Sequence, residues 1–177
     1  MNDLILTSIV ATGKISRELE LGAVADDLEV YSYQYNPEQP PGLHIKFYED
    51  GPTVTIFRSG FFNVRGASTI DEAFENKSIV EERVSNLGIE ATVTNFGVTN
   101  MVFTADLKKQ LNLNSISVSL GLENIEYEPE QFPGLVYRVD QGVILIFSSG
   151  KLVVTGFTDT GNAQQAYDKL CSKLTDV

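Results

Sequence analysis

The chain has 177 residues, of which 42% are apolar and 21% charged, so it is long enough for one well-cored globular domain or for two small ones that share a core. Its single cysteine excludes an internal disulfide framework, and because the N-terminus lacks the basic region of a signal peptide and no apolar run suits a membrane helix, we expect a cytoplasmic protein without membrane association. The net charge of −11 argues against nucleic-acid binding by a uniformly basic surface, and leaves open either an acidic solvated shell or a segregation of carboxylates away from one face.

The first half of the chain predicts one α/β unit. A β-rich segment at residues 4–12 precedes a short helix, whose apolar residues recur at helical spacing from Leu21 to Leu28. Strands follow, with turns at Asn36-Pro37, Asp50-Gly51-Pro52 and Ser59-Gly60. A longer helix with a loose apolar stripe ends at Gly88. That stripe comprises Ile70, Ala73, Phe74, Val80, Val84 and Leu87.

The second half predicts the same order of elements. A β-rich segment at 91–104 precedes a short helix with Leu113, Ile116 and Leu120 on one face and Gly121 as its stop. Further strands lead to a final helix. Its apolar stripe consists of Ala163, Ala166, Tyr167, Leu170, Cys171 and Leu174.

Three collinear segments match between the halves, which indicates an internal duplication. Residues 35–43 match 127–135 at seven of nine positions, residues 57–60 match 147–150, and residues 8–12 match 100–104, with offsets of 92, 90 and 92. We therefore expect an α+β protein of two repeats, 1–90 and 91–177.

Two strands of the second repeat are apolar on both faces, which is unusual for a sheet with helices on one side. Leu152 and Val154 alternate with Val153 and Thr155, and the preceding strand places Leu145 and Phe147 on one face and Ile144 and Ile146 on the opposite one. An exposed apolar sheet face indicates an interaction surface. Neither strand has an acidic residue on that face, so the net charge can be segregated to the helix side.

The motifs at 127–138 and 145–156 resemble the second repeat of the TATA-box-binding protein family, and residues 120–127 resemble its forms in halophilic archaea. The first half follows the same template in an eroded form. The resemblance implies a saddle of two pseudo-symmetric repeats, in which a curved antiparallel sheet carries four helices on its convex face.

The resemblance also implies a function. The concave face would bind and kink A·T-rich promoter DNA through the minor groove, with phenylalanine side chains wedged between base steps. The protein would then recruit transcription factor B and, through it, RNA polymerase. It would be a monomer on DNA, with a homodimer in the absence of DNA left open, and would have no catalytic activity, cofactor or metal.

Site residues follow from the positions that match the family motifs. The DNA contacts are the wedges Phe57, Phe132 and Phe147, the central Asn100, the groove residues Val10, Val102, Leu145, Val153 and Thr155, and the phosphate contacts Arg138, Lys151 and Lys46. Glu128 and Glu130 match acidic positions that bind transcription factor B.

The first repeat departs from the family pattern on its DNA face. The departures are Ser8, Pro40 (in place of a fourth wedge), Thr55, Phe61, Asn63 and Arg65. Arg65 fits a narrow A·T-rich minor groove, and Asn63 can exchange hydrogen bonds with base edges. We expect an altered or weaker sequence preference, with the second repeat dominant.

Several alternatives stay open at the level of sequence. The three phenylalanines could be core residues, the two glutamates solvated loop charges, and Arg65 could fold back on an acidic neighbour. His44 has no metal-binding partners in the sequence and is expected to be an exposed strand residue, and Cys171 is expected to pack in the last helix. Instead of an initiation factor, the protein could be a paralogue that has lost strong DNA binding and acts as an interaction module or a decoy for transcription factor B.

Overall fold

The computed structural model describes residues 3–36, 38 and 42–174. The chain forms two compact units, Ser8–Thr99 (the N unit) and Met1–Thr7 with Asn100–Val177 (the C unit). The proposed repeat boundary after residue 90 falls inside the N unit. Pro40, which stands where the family has a wedge phenylalanine, lies outside the described residues.

The N unit contains an antiparallel sheet and two helices. Its elements are β1 Ile5–Ile15 (from Ser8 onward), α1 Leu21–Asp27, β2 Ser32–Gln34, β3 Gly42–Lys46, β4 Thr53–Phe57, β5 Phe61–Ala67 and α2 Ile70–Asn86. The strand order is β2-β3-β4-β5-β1. The strand β6, Val93–Asp106, begins in this unit and continues into the C unit.

The C unit repeats this arrangement. Its further elements are α3 Leu113–Leu120, a 3₁₀ turn at Leu122–Asn124, β7 Ile125–Glu126, β8 Gly134–Val139, β9 Gly142–Phe147, β10 Lys151–Phe157 and α4 Thr160–Leu174. The strand order is β6-β10-β9-β8-β7, with antiparallel pairing. The predicted α+β class is confirmed, and the described residues contain four α-helices, as predicted.

Each sheet buries one face beneath its helices. In the N unit α1 packs on β3 and α2 on β5, and in the C unit α3 packs on β8 and α4 on β10. The buried strand residues are Leu43, Ile45, Val54, Ile56, Phe62 and Val64 in the N unit and Leu135, Ile144, Ile146, Leu152 and Val154 in the C unit. Each such side chain contributes about 1.5–3 kcal/mol of apolar burial. Period-2 alternation therefore determines which residues remain on the opposite side, which we call the open face of each unit.

Helix ends follow local hydrogen bonding. Thr69 caps α2 by accepting from the Glu72 N–H at 3.1 Å, while the Glu72 carboxylate accepts from the Ser68 N–H at 2.6 Å. At the end of α3, Gly121 adopts φ +88°, a conformation that costs glycine little, and this confirms the predicted stop.

The predicted stripe of α2 is partly wrong. Ile70 and Phe74 are 44% and 45% exposed, whereas Asn76 is fully buried. The Asn76 amide nitrogen donates to the Tyr48 hydroxyl at 3.1 Å and to the Glu72 carbonyl at 2.9 Å, which satisfies its N–H groups, whereas its buried Oδ1 has no hydrogen-bond partner among the described residues. The Phe74 ring instead meets Phe96 edge-on, 5.1 Å between centroids. Hydrophobicity alone could not identify a hydrogen-bonded asparagine as the core position.

The described helices include none that is both long and apolar enough to cross a membrane.

In α4 the stripe is largely as predicted, with Ala163, Tyr167, Leu170 and Leu174 buried. Ala166 and Cys171 lie at its half-buried margin.

Candidate nucleic-acid interface

The open face of the C unit is an apolar strip. Strand register aligns Val136, Leu145, Val153 and Thr104 in one row across β8, β9, β10 and β6. A neighbouring row contains Arg138, Val143, Thr155 and Val102. The predicted groove residues Val102, Leu145, Val153 and Thr155 thus share one face, and all four are half-buried. This surface can bind an apolar or weakly polar ligand over several strands.

Phe132 and Phe147 form an aromatic pair at one end of that face. Their rings meet at 67° with centroids 5.8 Å apart, and Phe132 is 36% exposed. Gly134 leaves the necessary room, because a Cβ there would lie 2.7 Å from the Phe132 ring and 3.0 Å from the Phe147 ring. Neither phenylalanine is a fully buried core residue. The pair stands at the surface, where its rings can meet a ligand.

An apolar cleft of about 630 Å³ lies beside this pair. Its lining includes Phe147, Pro133, Val153, Ile5 and Lys151. Ile5 is 59% exposed. The cleft extends the apolar surface from the rings to the middle of the strip.

The turn before β8 holds Phe132 in place and presents two carboxylates. The Glu128 carbonyl accepts from the N–H groups of Gln131 and Phe132 at 2.9 and 3.0 Å. The side chains of Glu128 and Glu130 are exposed, and neither forms a hydrogen bond or ion pair with a described residue. The predicted partner-binding glutamates therefore lie next to the aromatic pair and are accessible.

Asn100 lies in β6 at an irregularity of the sheet. Its Oδ1 accepts from the Gly156 N–H at 2.8 Å and from the Thr155 hydroxyl at 3.2 Å. The register of β10 shifts between Thr155 and Phe157, and Gly156 has φ +92°. Because the oxygen is bonded within the sheet, Asn100 offers its amide N–H groups to a ligand, and these suit the acceptor atoms of A·T pairs in the minor groove.

Carboxylates are not confined to the helix side of the C unit, although β9 and β10 carry none, as the sequence indicates. Exposed Asp106 lies opposite exposed Lys151 in the sheet, and Glu126 forms an ion pair with Arg138 at 2.9 Å. The prediction considered β9 and β10, whereas these carboxylates belong to the neighbouring strands β6 and β7. Both partners of the Arg138 pair are more than half exposed, so the pair is worth about 0–1 kcal/mol and can be exchanged for a phosphate contact.

The open face of the N unit is more polar. Register aligns Gln34, His44, Thr55, Asn63 and Thr12 in one row across β2, β3, β4, β5 and β1. We call this set the polar row. A hydrogen bond of 2.9 Å joins His44 Nδ1 to Thr55 Oγ1. Asn63 Oδ1 is buried and has no hydrogen-bond partner among the described residues.

The remaining predicted residues of the N unit lie around the polar row. Phe57, half-buried at the end of β4, is paired with Gly42, and Val10 is paired with Arg65. Arg65 is exposed and makes no hydrogen bond or ion pair with a described residue, so it does not fold back on an acidic neighbour. Lys46 Nζ donates weakly to the Glu49 carbonyl at 3.4 Å.

His44 is the site residue that sequence reasoning missed. The sequence predicts only an exposed strand residue, and His44 is exposed, but it lies on the open face and its ring is hydrogen-bonded to Thr55. The repeat offset of 92 contained the signal, because it aligns His44 with Val136. Among the described residues no cluster of three or more His, Cys, Asp or Glu side chains could hold a metal ion.

Comparison with known proteins gives a consistent result. The family model described as "Transcription factor TFIID (or TATA-binding protein, TBP)" matches residues 3–84 and 95–177. The chain is 45% identical over 175 residues to TATA-box-binding protein E of Halobacterium salinarum, covering 97% of this chain and 93% of that protein. It is equally identical to the TATA-box-binding protein of Natronomonas pharaonis, covering 97% and 92%. The solved structure of Methanococcus jannaschii TBP superposes with a TM-score of 0.80 at 38% identity, covering 99% of both chains.

Proposed function

Because the chain belongs to the TATA-box-binding protein family, whose members are transcription factors and not enzymes, we propose that it binds A·T-rich promoter DNA through its open sheet faces and kinks it in the minor groove. Bound to the promoter in the cytoplasm as a monomer, it recruits transcription factor B and, through that factor, RNA polymerase.

The observation that carries this proposal is the apolar open face of the C unit with Phe132 and Phe147 at its end. Apolar side chains inserted between base steps unstack them and bend the duplex away from the protein, a mode for which TATA-box-binding proteins are the type example. Such a surface gains affinity from apolar burial and groove deformation. A protein of net charge −11 can therefore bind DNA through this surface without depending mainly on phosphate neutralisation.

Recruitment of transcription factor B is assigned to the turn that precedes β8. Glu128 and Glu130 are exposed there and free for a basic partner surface. Since the same turn positions Phe132, DNA and transcription factor B would bind to neighbouring residues of one segment. Steering between opposite charges mainly raises the association rate and the specificity.

The test is a binding and bending assay on a TATA-box duplex labelled with a fluorophore at each end, at high potassium, with and without transcription factor B. We expect a mobility shift and an increase in energy transfer as the ends approach. Glu128→Gln combined with Glu130→Gln should weaken only the complex that contains transcription factor B. Capture of transcription factor B by the folded protein without any DNA binding would instead favour the decoy function.

A further inference from the structure

The two units present different chemistry at equivalent positions of the open face. His44, Thr55 and Asn63 in the N unit correspond, at offsets of 92, 90 and 90, to Val136, Leu145 and Val153 in the C unit. Each trio lies in one row across three neighbouring strands, and both rows end at a threonine, Thr12 or Thr104. The backbone register is therefore the same, while three consecutive apolar side chains are replaced by polar ones.

We propose that the polar row accepts the exocyclic amine of guanine, so that the half of the DNA site contacted by the N unit tolerates a G·C pair that the other half excludes. This inference rests on the proposed function and deepens it. It makes His44, Thr55 and Asn63 specificity-determining residues for one half-site.

Base pairs differ in the hydrogen-bonding groups that they present in the minor groove. A·T and T·A pairs present only acceptor atoms there, whereas a G·C pair adds one donor, the N2 amine. Against Val136, Leu145 and Val153 that amine would lose its water and gain no partner, which is costly. A face that can accept a hydrogen bond removes this penalty.

The polar row contains such acceptors. A threonine hydroxyl has two acceptor lone pairs, so Thr55 Oγ1 retains at least one of them whichever partner supplies the proton in its bond to His44. The hydroxyl of Thr12 flanks Asn63 on the other side. Thr55 is only 7% exposed and Asn63 Oδ1 is buried in the free protein, so an amine that enters this row meets oxygen atoms on three adjacent strands.

Asn63 carries an unsatisfied acceptor in the polar row. Its Oδ1 is buried without a hydrogen-bond partner among the described residues, and a buried amide oxygen in that state is an unpaid cost of the free protein. Rotation of the amide about χ2 exchanges its oxygen and nitrogen, so an incoming donor can pair with the oxygen. Asn63 is paired with Thr55 and Thr12 in this row, and its unsatisfied oxygen requires a hydrogen-bond donor.

The experiment uses guanine and inosine as matched probes. Inosine lacks the N2 amine, so an I·C pair has the minor-groove edge of an A·T pair. Single G·C and I·C replacements are placed at each position of an A·T-rich duplex, and the affinity of the full chain is measured by fluorescence anisotropy. In one half of the site, we expect a G·C replacement to give an affinity within about threefold of that for I·C at the same position. In the other half, we expect the affinity for G·C to be about tenfold or more lower than that for I·C.

Variants that exchange the two chemistries sharpen the test. Thr55→Leu with Asn63→Val gives the N unit the side chains of the C unit, and the tolerant position should then discriminate against G·C by about tenfold relative to I·C. Leu145→Thr with Val153→Asn should reduce discrimination in the other half. The ratio of G·C to I·C affinity is insensitive to a general loss of binding, and an unchanged unfolding midpoint shows that each variant is folded.

The results distinguish a failure of this inference from a failure of the proposed function. Binding to the A·T-rich duplex with equal G·C to I·C ratios in both halves would overturn this inference and leave the proposed function intact. A ratio that differs between the halves but is unaffected by Thr55→Leu with Asn63→Val would also overturn it. Failure of the folded protein to bind any duplex would overturn the proposed function and this inference with it.

Discussion

The N and C units share a backbone pattern and differ in what they expose. Strand order, register and the buried rows agree between them, whereas the open faces do not. Buried positions are constrained by packing, where a change of one methylene is costly, but open positions must only avoid disturbing the sheet. The comparison teaches that a duplicated fold can retain its core in both copies while one copy acquires a different binding surface.

Charge differs between the units as well. In the C unit Arg138 is held by Glu126, and Lys151 lies opposite Asp106. In the N unit Arg65 lies exposed without a partner among the described residues. On the open faces, therefore, the cations of the C unit lie close to carboxylates, whereas the N unit offers the guanidinium of Arg65 without such a neighbour.

The largest expected effect separates the two units by their wedges. Phe147→Ala should lower affinity for a TATA-box duplex by about thirtyfold or more, because truncating an aromatic anchor costs about 2 kcal/mol or more. Phe57→Ala, at the equivalent position of the N unit, should lower it by only about fivefold, because its neighbouring open face is polar. Fluorescence anisotropy measures both. Equal losses would show that the two units contribute equally to DNA affinity and would contradict the expectation that the second repeat is dominant.

A smaller effect is expected beneath those rings. Gly134→Ala places a Cβ 2.7 Å from Phe132 and 3.0 Å from Phe147, so the ring pair must move. We expect DNA affinity to fall by about fivefold to tenfold, since the wedge geometry is lost while the rings remain. Gly42→Ala is the matched variant: its Cβ would lie 2.9 Å from the Thr55 methyl and 3.4 Å from Phe57, and we expect a smaller loss. Wild-type affinity for Gly134→Ala would show that the pair is not preorganised.

Salt dependence compares the cations of the two units. Lys151→Ala and Arg65→Ala should each reduce the slope of log K against log salt by about 0.9, the value for one lost phosphate contact. Lys169→Ala, on the helix α4, is the control and should leave the slope unchanged. If Arg65→Ala left the slope unchanged while Lys151→Ala reduced it, Arg65 would make no phosphate contact, and any such contact by the N unit would fall to Lys46.

The smallest effect concerns stability of the N unit. A hydrogen bond from Lys77 at 2.7 Å and another from the Val93 N–H at 3.0 Å lower the pKa of Glu81 below its usual 4.5. A lowered folded-state pKa stabilises the protein above the unfolded value, and this contribution is lost as pH falls through the folded value. Glu81→Gln should thus cost about 0.5–1 kcal/mol at pH 7, and the difference from wild type should shrink as pH falls below about 4.5.

Urea unfolding at pH 7 and at pH 3.5 provides that measurement. Glu82→Gln is the control, because Glu82 is exposed and forms no hydrogen bond or ion pair with a described residue. A Glu81→Gln penalty that is independent of pH would assign the effect to packing. The position equivalent to Glu81 in the C unit is Cys171, so this ionic link belongs to one unit alone.

Much of the fold could be predicted because it depends on local pattern. Apolar alternation identified the strands around Leu152 and Val154, helical spacing identified α3, and Gly121 marked its end. The buried Asn76 could not be predicted, since it depends on Tyr48, which is 28 residues away. The open-face positions of Asp106 and Glu126 could not be predicted for the same reason, because strand pairing places them there and they lie outside β9 and β10.

The candidate site divides in the same way. Sequence by itself determined the duplication, the family motifs and the residues at each repeat position, because these depend only on order and offset along the chain. Only the tertiary structure decided that Phe132 and Phe147 form a ring pair over Gly134, and that Asn100 Oδ1 accepts from the Gly156 N–H at the register shift of β10. It also decided that His44, Thr55 and Asn63 share one row, in which Asn63 Oδ1 has no hydrogen-bond partner among the described residues. The physical reason is strand register, which brings residues about ten or more positions apart to within hydrogen-bond distance.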